Sequence, residues 1–509
     1  MPVPLKIAIV VALCLILGSA CAAAVYVDSG ASGKVHNGTS WATAYQTITQ
    51  ALDSLPDGGD IWVKTGVYHE CLTMKPYTNL YGGFLGFETS TDQRYPGAFP
   101  TVISGWKMGR VIDIPVNGRA YIDGFTIRDG KSDKGAGIHC STNSITTIIN
   151  CRIENCEATG GGGGVFFDTY TQGQLNNCVI ACNKAPQGGG LVVEYHSYPT
   201  MHNDVIINNY ATSVGGGVYC PFHSGAWLEN CTIAYNTADT SGGGIYAYYG
   251  GPETFIKCII AFNSAPMGGG IYGGGGSTQA TLSGCDWFSN VGGNMGGAIT
   301  SLPAEAGNVF VDPMFLMPGC DEFHLSTSSQ CGGIGAYPID SAYAVDRIGV
   351  AKLLPDSNSV KLSNKIVSCV DGDITYVQEA DRSTAIPVRG LTGCSTGKII
   401  TSLTGTLSTS RQTRTLTAAS FTLSSATIYK PKPLGTRLQW LRSLTGVRTL
   451  TWGKVDSVSP TGFTLRDGDY TLDVRLANPG VGVGNYISVV GSCVLDGSFV
   501  GESVSSLNR

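Results

Sequence analysis

Charge is scarce in this chain. Only 14% of its 509 residues are charged, and the formal net charge is −5. That excludes the strongly basic footprint of a nucleic-acid binder, so no nucleic-acid partner is expected. Histidine is rare too, and His69, His139, His202 and His324 show no metal-ligand spacing. No metal and no cofactor are expected. A nucleophile elbow and a phosphate-cradling glycine loop are both missing. The two Asp-Gly-Asp stretches, Asp371–Asp373 and Asp467–Asp469, are too short for a calcium loop and read as turns. Beyond the N-terminus no apolar run could span a bilayer. What is plentiful is glycine, with 70 residues, about double the usual share. With 42% apolar residues, the composition points to an ordered, repetitive β protein and away from disorder.

The chain opens "MPVPLKIAIVVALCLILGSACAAAVYVD". One Lys, an apolar run from Ile7 to Leu17 and small residues read as a secretory signal peptide over 1–23, cleaved between Ala22 and Ala24. The run is short of the ~20 residues a membrane span needs. A lipid anchor at Cys21 fits less well, because Leu17 lies four residues before the Cys and the usual motif has it three before. The expected location is therefore secreted or cell surface. Charge divides the rest. Residues 1–340 hold 14 Lys/Arg against 25 Asp/Glu, and residues 341–509 hold 18 against 12, which places a domain boundary near 340.

A fixed period follows. Cys151, Cys178, Asp204, Cys231, Cys258 and Cys285 recur every 26 or 27 residues, the mark of stacked supersecondary units. Each lead residue begins a short alternating strand such as Cys231-Thr232-Ile233. Five residues on come Asn183, Asn209, Asn236, Asn263 and Asn290, where a corner is needed and where Asn tolerates the left-handed conformation. A glycine triplet and an aliphatic residue close the unit. Poly-glycine at this density excludes helices, at about 1 kcal/mol per Gly. In a parallel stack identical side chains lie ~4.8 Å apart, so the Asn amides should bond from coil to coil. The Cys column should be buried free thiols. Cys320 with Cys331 and Cys369 with Cys394, outside the repeat, are the better disulfide candidates.

These repeats, with "GTSWATAYQTITQALDSLPDGGDIWVKTGVYHE" (Gly38–Glu70) before them and "VFVDPMF" and "DEFHLSTSSQCGGIGAYP" after them, resemble the right-handed parallel β-helix of the pectin lyase-like superfamily, in its bacterial secreted repeat form. The resemblance covers residues 24–340. It implies an all-β solenoid, an amphipathic capping helix from Trp41 to about Leu55, and closing coils at Val309–Phe315 and Asp321–Pro338. The helix face would be Ala44, Ile48, Ala51, Leu52 and Leu55. The Asn-Thr-Asp, Asp-Asp, Gly-His-Gly and Arg-Ile-Lys motifs of polygalacturonase-like members are absent, and the repeats hold few bases for lyase chemistry.

After Pro338 the glycine clusters vanish and alternating Thr, Ser, Val and Leu read as strands. Two passes, 341–428 and 429–509, resemble small OB-like β-barrels, with Tyr429–Trp440 as linker and an Asp-Gly hairpin turn at Asp467-Gly468.

Three outward columns carry the candidate chemistry. The first holds Ser141, Asp168, Glu194, Pro221, Tyr248 and Gly274, the next Thr169, Tyr195, Phe222 and Tyr249, the third Tyr170, His196 and His223. Aromatic faces suit sugar rings and carboxylates bond hydroxyls, so Tyr195, His196, Phe222, His223, Tyr248 and Tyr249 are the expected contacts for an extracellular or cell-surface polysaccharide. Asp168 and Glu194, one coil apart, fit the ~5–5.5 Å carboxyl spacing of a retaining glycosidase, with one pKa raised by its neighbour. A solvated polar patch, or a solenoid serving only as an adhesive spacer, explains the same residues without catalysis.

Overall fold

The computed structural model describes residues 24–507 except 95, 98, 250–251, 276–278, 301–305, 319–321, 327, 338–342, 345–346, 353, 355, 381–382, 411–412, 425–432, 437, 439–443, 469 and 495–497. The signal-peptide stretch, Cys21, Cys320 and most of the expected linker lie outside the described residues.

Residues 25–297 wind into a parallel β-helix. Among the described residues, sheet 1 has ten strands, from Val25–Val27 to Gln279–Ser283. Sheets 2 and 3 have nine each, from Gly66–His69 to Asp286–Phe288 and from Leu72–Thr73 to Met295–Gly297. Sheet 4, a shorter five-stranded sheet, runs from Lys131–Lys134 to Thr237–Ala238. One coil shows the path: Gln172–Asn176 in sheet 1, Val179–Ala181 in sheet 2, Lys184–Gln187 in sheet 4, Leu191–Val193 in sheet 3. Every pairing in these four sheets is parallel, and equal repeat positions face each other, as in Val218↔Ile245↔Ile271. Inward residues of all coils form one continuous core from Val27 to Ile299.

The corner after sheet 2 explains the Asn column. Asn209 Nδ2 and its backbone N–H both donate to Asn236 Oδ1 at 3.0 Å, and Asn236 repeats this with Asn263. Each Nδ2 also donates to a sheet 2 carbonyl one coil back, Ile206 for Asn236. The expected left-handed backbone is not on these asparagines. It belongs to the residue before each: Cys182, Asn208, Tyr235, Phe262 and Ser289 all have φ between 49° and 58°. The preceding residue makes the corner, which leaves the Asn side chain aimed inward. The next triplet then needs three glycines for three reasons. Gly215 takes φ +67°, a Cβ on Gly216 would lie 2.3 Å from the Gly243 oxygen, and one on Gly217 would meet the Asn236 amide at 3.2 Å.

The Cys column is buried and unbridged. Cys231 and Cys258 each offer their thiol to a backbone carbonyl one coil back, at 3.5 Å. Asp204 stands in this column with no exposure. Its Oδ1 accepts the Cys178 N–H at 2.6 Å, its Oδ2 has no partner, and burial pushes its carboxyl up to about 8.

The amphipathic N-terminal segment is shorter than expected. A 3-10 turn at Trp41–Thr43 is followed by a helix only over Ile48–Ser54. Ala44 is non-helical, and extended Thr47 starts the helix by a reciprocal capping box with Gln50. Glu70 accepts the Ile48 and Thr49 N–H groups at 2.8 Å. Ile48, Ala51 and Leu52 enter the solenoid core.

The expected closing coils are not coils. Val309 adds one last parallel bridge, to Asp286. The chain then leaves the stack, pairs Phe315–Met317 antiparallel with Glu322–Leu325, and runs back over the outer face of sheet 2. Phe323 packs on Val205, Ile207 and Ala234, and Cys331 on Ile259 and Ala261. Asp286 fastens this strap: its Oδ1 accepts the Val311 N–H at 3.0 Å and its Oδ2 the Cys331 thiol at 3.4 Å. The reason is in the strands. Val179-Ile180-Ala181 and Val205-Ile206-Ile207 are apolar on both faces, as a sheet buried on both sides must be.

Two further sheets follow. In the first, Ser359–Asp371, Ile374–Gln378, Ala385–Arg389, Thr413–Leu423 and Ile399–Ser410 pair in that order, and the last pairs back to the first. In the second, Arg448–Ser459, Gly462–Asp467, Tyr470–Arg475, Phe499–Ser506 and Tyr486–Cys493 repeat the same order and the same closure. Asp467 pairs with Tyr470 and belongs to the strand, and Gly468 (φ +62°) takes the turn. The proposed Cys369–Cys394 bridge is absent: both are free thiols. Cys369 lies with Tyr376 and Val494 where the two sheets pack together, while Cys394 borders the core of the first. Arg475 and Asp371 pair across that contact at 2.9 Å. The first sheet also touches the solenoid, through Ile366 and Ile399 on Leu85 and Phe99.

Candidate functional site

The corner between sheet 3 and sheet 1 brings the expected residues together. Strand Val165–Phe167 pairs with Leu191–Val193, and Glu194 N–H donates to the Phe167 carbonyl at 2.8 Å. Asp168 and Glu194 thus begin the corner on adjacent coils. Register continues through it: Tyr170 stacks on His196 at 5.3 Å and 10°, and His196 on His223 at 5.9 Å and 17°. Phe222 stacks on Tyr249 at 5.9 Å and 22°. Tyr195 meets His196 edge-on at 4.0 Å, and Tyr248 meets Phe222 edge-on at 4.8 Å. All eight residues singled out in the sequence therefore lie on one ridge.

The ridge faces outward because the backbone turns there. Tyr170, His196, His223 and Tyr249 have φ between 50° and 59°, a conformation bulky side chains rarely take. Tyr170, Tyr195, Phe222 and Tyr249 are 39–52% exposed. Large rings left in water on successive coils are unusual for a face with only a packing role.

The carboxylates differ from expectation. Asp168 was expected to feel Glu194. Instead it faces His139, whose Nε2 lies 3.7 Å away. With that imidazole beside it and the Thr169 N–H donating at 2.7 Å, its carboxyl is held down at about 2. His139 bonds Asp113 through Nδ1 at 3.0 Å, and Asp113 pairs with Arg110 at 2.8 Å. Burial pulls the imidazole pKa down, but the two carboxylates outweigh it and the net shift is upward. Glu194 carries no cationic partner among the described residues, and lies close enough to Tyr219 to help burial raise that phenol to about 12.

The sequence reading missed several neighbours. Tyr198, 48% exposed, donates its hydroxyl to the His223 carbonyl at 2.9 Å. Trp227, 46% exposed, stands on the adjoining outer face of sheet 1 between Thr200 and Thr254. Asp113 and His139, in register with each other and with Phe166 on sheet 3, flank the first column two residues before it. Only the alternation of sheet 1 strands could have placed Trp227 outward, since the column itself is Thr, Trp, Thr. No group of His, Cys, Asp or Glu among the described residues could hold a metal ion, and no helix among them is long and apolar enough to cross a membrane.

A family model described as "Right handed beta helix region" matches residues 108–233 and 136–301. The stacked coils form a right-handed β-helix. Among solved structures the chain is similar to the pectin methylesterase from Aspergillus niger in deglycosylated form, at 17% identity and a TM-score of 0.27, covering 58% of this chain and 94% of that one. It is also similar to ORF18 of Geobacillus virus E2, at 14% identity and a TM-score of 0.28, covering 94% and 90%. Likeness at that level says nothing of activity. No curated protein matches the chain.

Proposed function

We propose that this is a secreted or cell-surface β-helix protein that binds extracellular polysaccharide along the ridge, without pectinase-type chemistry. The observation that carries the reading is the set of exposed rings on successive coils, Tyr195, Phe222 and Tyr249 in one column with Tyr170 beside it in the next. Coils ~4.8 Å apart repeat at nearly the length of one pyranose unit, so a linear glycan along the solenoid meets equivalent groups at each step. Export is supported by the leader-like N-terminal sequence. Helix Ile48–Ser54 suits a cap, since it covers core residues of the first coils. The strand order of the two C-terminal sheets, closed with one parallel pair, suits OB-like barrels that attach the protein or add binding surface. A glycan array tests the reading. Wild type should retain a polysaccharide, and Tyr195→Ala with Phe222→Ala should lose it while unfolding at the same temperature. A wild-type protein that retains no glycan overturns it.

A hydrolytic or lyase role is the second reading, favoured by Asp168 and Glu194 on adjacent coils. Held ionised by His139, Asp168 would serve as base or nucleophile, with Glu194 as the second carboxyl of the pair. New reducing ends or unsaturated products from a polysaccharide screen, lost in Glu194→Ala, would support it. A Glu194→Ala protein as active as wild type would remove it.

A further inference from the structure

We infer that the ridge selects a glycan whose sugars carry free, protonated amino groups. This rests on the polysaccharide reading and names its substrate class.

The rings recognise sugar faces whatever their substituents, so selectivity must come from the polar groups between them. Those groups are the imidazoles of His196 and His223, which stack in the ladder, and the carboxylates of Asp168 and Glu194. Glu194 is half-buried, follows the sheet 3 strand directly, precedes the exposed Tyr195 and lies within electrostatic reach of Tyr219, with no cation paired to it among the described residues. One coil away Asp168 stays ionised. The cations that flank its end are engaged: Arg110 with Asp113 and Asp133, Lys134 over the Phe166 ring at 4.7 Å. Asp168 faces His139, so Glu194 is the ridge carboxylate without a cationic partner among the described residues, in a stretch of chain that holds 25 acidic against 14 basic residues. A polymer of carboxylated sugars would place like charges against Glu194. A neutral one would leave a half-buried carboxylate facing hydroxyls alone. An ammonium group would give it a charge-assisted bond, with ring faces beside it able to attract a cation as well.

The test compares three hexasaccharides of equal length by calorimetry on the full chain: β-1,4-linked glucosamine, its N-acetylated counterpart and a uronic acid oligomer. The expected order is glucosamine first, by about tenfold over the acetylated form, with the uronate last and the gap narrowing as salt rises. Glu194→Gln should bring glucosamine down to the level of the acetylated ligand on the same variant. Tyr195→Ala with Phe222→Ala should lose both. Equal affinity for the first two ligands, or a preference for the uronate, overturns this inference and leaves the polysaccharide reading standing if the ring variants still abolish binding. A preference that survives Glu194→Gln removes Glu194 from the role. Failure of wild type to bind any of the three or any arrayed glycan ends both.

Discussion

Two corners of the same coil use ladders in opposite ways. At the corner after sheet 2, Asn236 is fully buried and its amide bonds are taken up by Asn209, Asn263 and Ile206. At the corner after sheet 3, Phe222 is half in water and its neighbours are rings, imidazoles and acids in varied order. The first column repeats one residue because every copy must satisfy the same buried donors. The second repeats a kind of chemistry, and its rings face solvent. A saturated ladder is architecture, and the solvent-facing one is where the proposed binding surface lies.

Substitution should separate the two. Asn236→Ala orphans the Asn209 N–H and amide donors and the Ile206 acceptor inside the core. At ~1–3 kcal/mol for each of three buried groups left without a partner, the loss should be about 3–9 kcal/mol, read by chemical denaturation, with loosening centred on adjacent coils because solenoid stability is a nearest-neighbour property. A loss under ~1 kcal/mol would mean that water replaces the amide and the ladder is not a structural element. Removing the strap's anchor comes next. Phe323→Ala should cost about 3 kcal/mol, toward the low end for a buried Phe, since the ring packs on the outer face of sheet 2 and not in the solenoid core. An unchanged midpoint would show that the strap does not seal sheet 2.

Asp204 gives a smaller, pH-dependent effect. Its folded pKa, about 8, stands above the ordinary 3.8. The folded state therefore holds a proton that the unfolded chain releases. The stabilisation is fully present below pH ~3.8 and fades as pH rises through 8. Asp204→Asn keeps an oxygen for the Cys178 N–H and removes the ionisation. Its melting temperature should match wild type near pH 4 and exceed it by several degrees at pH 9. Parallel curves at all pH values would show that Asp204 is not neutral in the core.

Much of this was legible in the sequence because a period of 27 converts sequence position directly into spatial neighbourhood. The Cys and Asn columns, the glycine triplets and the three outward columns could all be placed without coordinates. What failed was local or long-range. The left-handed residue is Tyr235 rather than Asn236, a one-position difference that propensity cannot resolve because the Asn side chain is wanted inside. The pKa of Asp168 depends on His139, on the preceding coil, which the sequence showed only as an isolated histidine. The strap was written in the chain and overlooked. Arg152-Ile153-Glu154 alternates, whereas Val205-Ile206-Ile207 on the same sheet does not, and that change marks where the outer face becomes covered. Which segment covers it could not be read, since residues 311–337 have no period linking them to residue 205.

The smallest expected effect carries the comparison furthest. Phe222→Ala should change stability by less than ~0.5 kcal/mol, as surface substitutions without buried partners do. Phe222 is 50% exposed and touches Tyr248 and Tyr249 only through ring contacts that each contribute about 0.5–1.5 kcal/mol when buried and less in water. If Phe222→Ala were as destabilising as Asn236→Ala, the ridge would be a packing element whose exposure is incidental, and the outer ladder would lose its claim to function. If stability holds and glycan retention falls, the ring is kept in water at the expense of hydration for contact with a ligand. The paired measurement on one coil, with denaturation and binding read on the same two variants, decides between those roles without knowledge of which sugar is bound.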